Sequence, residues 1–388
     1  MIVRRQALCL LGAAAGLAVL SPPAAGQQTA PPLLSAARAR GIRLGAAMDF
    51  ASDWGDAALL DLMRQQVDLV VMENGGKWKA IEPQPNSYHW QRFDRALAFA
   101  AGAGHALAWH TLLWQNGGMP EFLHRPLSAR DVADRYRHPQ GQLSAANAWA
   151  HLHGHLNRVA GRVGDRFWRI DVANEMFQWQ EQPNELMDAH GFRRGMWWAT
   201  LGGPEGPYWL DRVFVQARRR FPNARLILND WGHEGAEGWL QRKRGYLLDW
   251  VTGAVARGCP IDGIGLQSHL IAGTAYDETG LADFCRKIAD LGLRLHITEL
   301  DVDETRLPKW WSRAQKDRAV ADLAARHVRT VAASGALAEL SFWHLRSDLN
   351  HLAHKYESTQ LSPSPFSGAS EPLPLYDALV TALTKTGP

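Results

Sequence analysis

A single α/β barrel of eight parallel strands, (β/α)8, is the fold class the sequence predicts, and three observations predict it. Eight short β-prone runs recur along the chain, amphipathic helical stretches lie between them, and the runs are mostly continuously apolar. Alternation argues for parallel strands joined by crossover helices. Continuous apolarity argues for strands covered on both faces, and eight strands close a barrel. With 388 residues, 46% of them hydrophobic, the chain can bury a substantial core.

Residues 1–26 read as a signal peptide outside the fold. Arg4-Arg5 precede an apolar run too short to span a membrane comfortably, followed by Ser21-Pro22-Pro23 and the small residues Ala24-Ala25-Gly26. The paired arginines suggest the bacterial twin-arginine route, with an ordinary signal as the alternative. Export to the periplasm or the extracellular space is expected. Residues 27–36 read as a polar linker, and 37–388 as the barrel. The strands are expected at 42–48, 67–72, 105–110, 167–172, 225–228, 263–267, 293–298 and 339–343. Helical patterns occupy 91–104, 147–164 and 317–335, and a closing helix 375–383. The Ser/Pro/Gly-rich stretch 358–371 reads as a long loop after the last strand. Gly263-Ile264-Gly265 lacks a third glycine for a dinucleotide fingerprint and is assigned to strand geometry.

Net charge is +3, with 42 basic and 39 acidic residues and no basic cluster, which disfavours a nucleic-acid partner. No other segment reaches membrane-spanning length, so no membrane association is expected of the mature chain, which is expected to be a monomer. Of three cysteines, Cys9 lies in the signal. Cys259 and Cys285 are either buried thiols or one disulfide.

In such a barrel, chemistry gathers where strands end. Those ends carry Glu73-Asn74-Gly75-Gly76-Lys77-Trp78, His110 to Trp114, Asn174-Glu175, Asn229-Asp230-Trp231, Gln267-Ser268-His269, Glu299-Leu300-Asp301 and Trp343. Glu175 and Glu299 each follow an apolar run, so both should project into one mouth. Two carboxylates there suit glycosidic cleavage, one protonating the leaving oxygen and one attacking carbon or activating water. Metal binding is the weaker reading, since no tight His/Asp/Glu ligand set recurs, and neither a metal nor a cofactor is expected. His151, His153 and His155 are expected on a solvated helix surface, where only His151 and His155 share a face.

These motifs resemble glycoside hydrolase family 10, typified by endo-1,4-β-xylanases. Glu73-Asn-Gly-Gly-Lys-Trp78, His110-Thr-Leu-Leu-Trp114, Asp171-Val-Ala-Asn-Glu175, Leu228-Asn-Asp230, Gly265-Leu-Gln-Ser-His269, Ile297-Thr-Glu-Leu-Asp301 and Pro372-Leu-Pro-Leu-Tyr-Asp377 are similar to the family's motifs, in order. The resemblance implies retaining hydrolysis of a polysaccharide or oligosaccharide, with Glu175 as acid/base and Glu299 as nucleophile. It implies that Asn174 binds the 2-hydroxyl of the reacting sugar, and that Glu73, Asn74, Lys77 and His110 hold the glycone. Gln267 would support the reaction centre, and His269 would bridge Glu299 and Asp301. Trp114 and Trp343 would wall the reacting sugar, with Asn229 and Asp230 behind. Departures lie around the walls. Gln115 and Gly117 stand where the family has His and Gln, and His351 where it has a second Trp. His344-Leu345-Arg346 replaces a glycine-led segment, and Lys79 an Asp. Gly117 and His351 are expected to open the sugar pocket toward hexose units or decorations, unless Trp310-Trp311 or the 358–371 loop fills the space. The alternatives are the same mechanism on another β-linked or decorated polysaccharide, such as a bacterial exopolysaccharide, and a non-catalytic carbohydrate-binding barrel.

Overall fold

The structure, a computed structural model, describes residues 31–114, 117–123, 144–178 and 187–385. The signal at 1–26, the linker residues 27–30 and Gln115 lie outside the described residues. Ten strands form one sheet: β1 (Arg43–Met48), β2 (Leu69–Met72), β3 (Ala106–Trp109), β4 (Leu113–Trp114), β5 (Phe167–Asn174), β6 (Arg225–Asp230), β7 (Gly263–Leu266), β8 (His269–Ile271), β9 (Arg294–Asp303) and β10 (Leu337–Phe342). The order β10-β1-β2-β3-β5-β6-β7-β9 is closed by β9 pairing with β10, and these neighbours are parallel. Eight strands thus make the barrel, while β4 and β8 are short extensions at its rim.

All eight expected strands are present, but three run past their expected C-terminal ends, β5 through Ala173-Asn174. β6 continues through Asn229-Asp230, and β9 runs to Asp303, so Glu299 and Asp301 sit inside a strand rather than beyond it. Hydrophobicity ends where the barrel begins to bury polar groups against one another. Main-chain pairing continues regardless.

Helices cover the outside. Asp56 caps the helix Ala57–Gln66 by accepting the Leu59 N–H at 2.9 Å. Ser312 and Gln315 form a reciprocal capping box on Arg313–Ala332. Gln91–Ala103 ends at Gly104 in the left-handed conformation (φ 68°), which glycine adopts without a Cβ penalty. One helix begins inside the expected linker. Pro32–Ala39 buries Leu33, Leu34, Ala36 and Ala37, and its Leu33 N–H meets the Tyr376 hydroxyl at 3.3 Å beside the closing helix Pro374–Thr384. The apolar spacing of 33, 34, 36 and 37 outweighs the preceding polar, Pro-rich composition. The 358–371 loop is as expected, preceded by a short helix, His351–Lys355, too brief to show periodicity.

His155 overturns the expectation of a solvated histidine face. It is fully buried on Ala145–Val163, stacked on Trp78 with centroids 4.2 Å apart, and burial depresses its pKa to about 3. His151 and His153 are half-buried. Cys259 and Cys285 are both free thiols, pushed up to about 12 chiefly by burial. Among the described residues no helix is long and apolar enough to cross a membrane.

Register aligns Asn174 with Asn229, and Asn229 with Gly265. A Cβ on Gly265 would lie 2.3 Å from Asn229 Oδ1, so this glycine gives the neighbouring asparagine its room. Gly263 and Gly265 therefore serve strand packing, as the sequence suggested. Gly265→Ala is expected to destabilise the protein by about 1–3 kcal/mol, seen as a lower urea midpoint with an unchanged m-value.

Candidate active site

The C-terminal strand ends bring Glu175, Glu299, Asn174, Gln267, His269 and Trp114 together at one mouth, with His110, Asn229 and Asp230 buried beneath it. Glu299, on β9, is almost wholly buried. Its Oε1 accepts from Asn229 Nδ2 at 2.7 Å and its Oε2 from His269 Nε2 at 3.1 Å. Burial alone would raise this carboxyl. The His269 hydrogen bond and the His110 and His269 charges prevail, and its pKa falls below the ordinary 4.5. His269 gives its other nitrogen, Nδ1, to Asp301 Oδ1 at 2.8 Å. Burial opposes its charge, but the Asp301 and Glu299 contacts lift it well above 6.5. The imidazolium is thus clamped between two carboxylates.

Glu175 follows β5 with φ 55°, its N–H bonded to Asn229 O at 2.9 Å. Its Oε2 accepts from Trp114 Nε1 at 3.0 Å, with Arg193 Nη1 at 3.4 Å, and its Oε1 accepts from Gln267 Nε2 at 3.2 Å. An amide chain connects the two glutamates. Asn174 Oδ1 receives Asn229 Nδ2 at 3.0 Å and Gln267 Nε2 at 3.1 Å, and these same donors reach Glu299 and Glu175.

Beneath this mouth, His110 Nδ1 binds Asp171 Oδ2 at 2.8 Å and lies 3.8 Å from Glu299 Oε1. Asp171 also pairs with Arg169, which is fully buried and reaches Glu339 at 2.8 Å. Asp230 pairs with Lys243 at 2.7 Å, both without exposure. Burial pushes Asp230 up and Lys243 down against their mutual attraction. The sequence reading missed Arg169, Lys243, Arg193 and Glu339 as contributors. Lys243 and Arg193 are remote from strand ends. Arg169 and Glu339, inside strand runs, had a signal: a charged residue in an apolar run needs a partner.

Beside the mouth, Asn74 donates to Asp49 Oδ2 at 3.1 Å and accepts from Lys77 Nζ at 2.8 Å. Glu73 meets His344. Lys77 stands 5.0 Å from the Trp114 ring centroid, and Trp343 packs edge-on to His110 at 5.3 Å. Tight ligand-like sets do exist, contrary to expectation: His269/Asp301/His351 and Asp53/Glu73/His344 each place potential ligand atoms within 4.8 Å. Both nitrogens of His269 are already engaged with carboxylates, so a metal would have to displace those bonds.

One of the altered walls, at Gly117, corrects another expectation. A Cβ on Gly117 would lie 2.9 Å from the Trp114 ring, so the space gained by glycine is taken by the indole. His351 places Nδ1 3.2 Å from Asp301 Oδ2 and packs 5.2 Å from the His269 ring. Lys79 is exposed, and Trp310, 85% exposed, fills no pocket.

Two carboxylates on a barrel mouth, linked by amides and flanked by imidazoles and indoles, define a glycoside hydrolase. The chain belongs to glycosyl hydrolase family 10, whose sequence profile matches residues 33–382. Endo-1,4-beta-xylanase B of Paenibacillus barcinonensis is 28% identical over 272 residues, covering 70% of this chain and 72% of that protein. Endo-1,4-beta-xylanase A of Caldicellulosiruptor sp. is 23% identical, covering 76% of this chain but 40% of that protein. In fold the chain is similar to xylanase 10B from Thermotoga maritima (TM-score 0.74, 22% identity, 91% and 98% of the two chains). It is also similar to xylanase 10B from Thermotoga petrophila, solved with xylobiose (TM-score 0.75, 22% identity, 93% and 99%).

Two outcomes follow from this geometry. In His269→Gln, Glu299 should return toward its ordinary range, moving the acid limb of kcat/KM to higher pH. The linked stability has two edges. The depressed Glu299 contributes above its ordinary 4.5 and loses that contribution as pH falls through its folded value. The raised His269 contributes below 6.5 and loses it as pH rises through its folded value. The stability gap between native and variant should therefore be largest between these ordinary values and shrink on both sides, as read by urea titrations across pH. Separately, Gly117→Ala should displace Trp114 from Glu175 and lower kcat about tenfold, and Gly117→Gln should do no better.

Proposed function

We propose that the protein is an exported, retaining endo-β-1,4-glycanase acting on xylan-type polysaccharide. The observation that carries this reading is the amide chain Gln267–Asn174–Asn229 joining Glu175 to Glu299. It couples an ionised, donor-saturated carboxylate to a second, less enclosed one. Glu299, held ionised by His269, attacks the anomeric carbon. Glu175 protonates the leaving oxygen, then takes a proton from the water that releases the glycosyl-enzyme. With its Oδ1 taken by two donors, Asn174 has its NH2 edge left for the 2-hydroxyl of the reacting sugar, a bond that strengthens as charge develops there. Trp114 and Trp343 wall that sugar. Names of the relatives support xylan as the substrate class, and residues 1–26 support export to the periplasm or beyond.

A second reading keeps the mechanism on a hexose-containing or decorated polysaccharide. His351, standing on Asp301 where the family pattern has an indole, favours it.

The test separates the two glutamates. Glu299→Ala should abolish turnover of every substrate. Glu175→Ala should lower kcat about 10²–10⁴-fold on poor leaving groups and far less on activated aryl glycosides. Azide should rescue only the Glu175 variant on activated substrates, giving a β-glycosyl azide. Proton NMR of fresh product should show the retained anomer, and a bound structure should place the two carboxyls about 5–5.5 Å apart. Inverted product would overturn the mechanism. A kcat/KM for aryl β-cellobioside above that for aryl β-xylobioside would favour the second reading.

A further inference from the structure

His344, directly after Trp343, has φ 105°, in the left-handed region that favours glycine. A bulky residue persists there only where its surroundings over-determine it. Here they do. His344 Nε2 lies 2.9 Å from Glu73 Oε2, and its Nδ1 faces Asp53 Oδ2 at 3.9 Å. Asp53 is itself fixed, by the Asp49 N–H at 2.9 Å and the Ser52 hydroxyl at 2.9 Å. The three residues lie in the segments that follow β1, β2 and β10, adjacent strands of the barrel.

The arrangement repeats a pattern found across the mouth. In Asp301–His269–Glu299, Nδ1 faces the aspartate and Nε2 the glutamate. In Asp53–His344–Glu73 the same nitrogens face the same residue types. The His344 side chain is 3% exposed and that of Glu73 16%, so the ring stands behind the carboxylate rather than in the cleft. Burial opposes the His344 charge, but the Glu73 contact and the Asp53 and Asp49 charges raise its pKa above 6.5.

We propose that Asp53–His344–Glu73 is a second orienting set, in which His344 is a positioning residue that aims the Glu73 carboxylate at hydroxyls of a glycone sugar beyond the reacting one. This rests on the proposed glycanase function and on the reading, implied by the family resemblance, of Glu73 as a glycone ligand. Its consequence is that recognition of a second glycone sugar depends on a residue that never touches it.

His344→Gly is the informative variant, because glycine relieves the positive φ and leaves the missing imidazole as the change. Aryl β-xylobioside and aryl β-xyloside are compared, with the cellobioside and glucoside pair in parallel. The disaccharide substrate should lose about tenfold in kcat/KM, mostly through KM, and the monosaccharide substrate less than about twofold. Added imidazole should restore part of the loss. Glu73→Gln should show a similar loss, and the double variant no more than Glu73→Gln alone, since His344 acts through Glu73. Equal losses on both substrates, additive losses in the double variant, or a gain on the disaccharide would each overturn the proposal. So would activity of the native enzyme, but not of His344→Gly, that rises with added Zn2+ and falls with chelator, which would make the trio a metal site. Native enzyme that turns over neither pair would sink the substrate class and this inference together. Turnover with an unchanged disaccharide preference falls on His344 alone.

Discussion

The mouth stands on a buried cation in the barrel floor. Arg169 has no exposure, and it balances Asp171 on its own strand and Glu339 on β10. Asp171 in turn fixes His110 beneath Glu299, and Glu339 fixes His296 at 2.9 Å. Two unpaired carboxylates at this depth would be prohibitive, and removing one partner from such a set costs about 3–5 kcal/mol. The strand period of two places Arg169 and Asp171 on the same side of β5. A structural requirement of the barrel floor thereby becomes an electrostatic one at Glu299.

Above that floor, the two glutamates differ because their surroundings do. Glu299 is enclosed and faces an imidazolium, while Glu175 retains 16% side-chain exposure and accepts from an indole, an amide and a guanidinium. One environment stabilises a fixed negative charge. The other leaves a carboxyl partly open to solvent. Parallel register supplies this difference, since Asn174 and Asn229 are cross-strand partners and Gly265 clears the space between strands.

Much of this was legible from residue order alone. The eight apolar runs, the polar groups following them and the pairing of Glu175 with Glu299 all reflect short-range constraints that sequence displays directly. What escaped depends on distance. Lys243 reaches Asp230 from a helix on the barrel wall, and Arg193 reaches Glu175 from eighteen residues downstream. No local pattern marks either. The length of β9 was underestimated because buried carboxylates look like the end of a strand until their partners are known. His155 was misassigned because three alternate histidines look solvated, whereas Trp78 stacks on one of them. Pro32–Ala39 was hidden by the polar, Pro-rich residues before it, though its contact with Tyr376 ties it to the closing helix.

The indole lying on Gly117 has a consequence for how this chain can change. Any side chain at that position must first meet the Trp114 ring, and Trp114 is bound to Glu175. A return to a longer residue there is therefore not a single step, because every intermediate with Trp114 in its present pose is penalised before any new sugar contact forms. Positions 114 and 117 are therefore sterically coupled: a side chain at 117 requires the indole to shift. His351 stands on Asp301 and packs on the His269 ring, so changes from that side of the wall do not involve this contact.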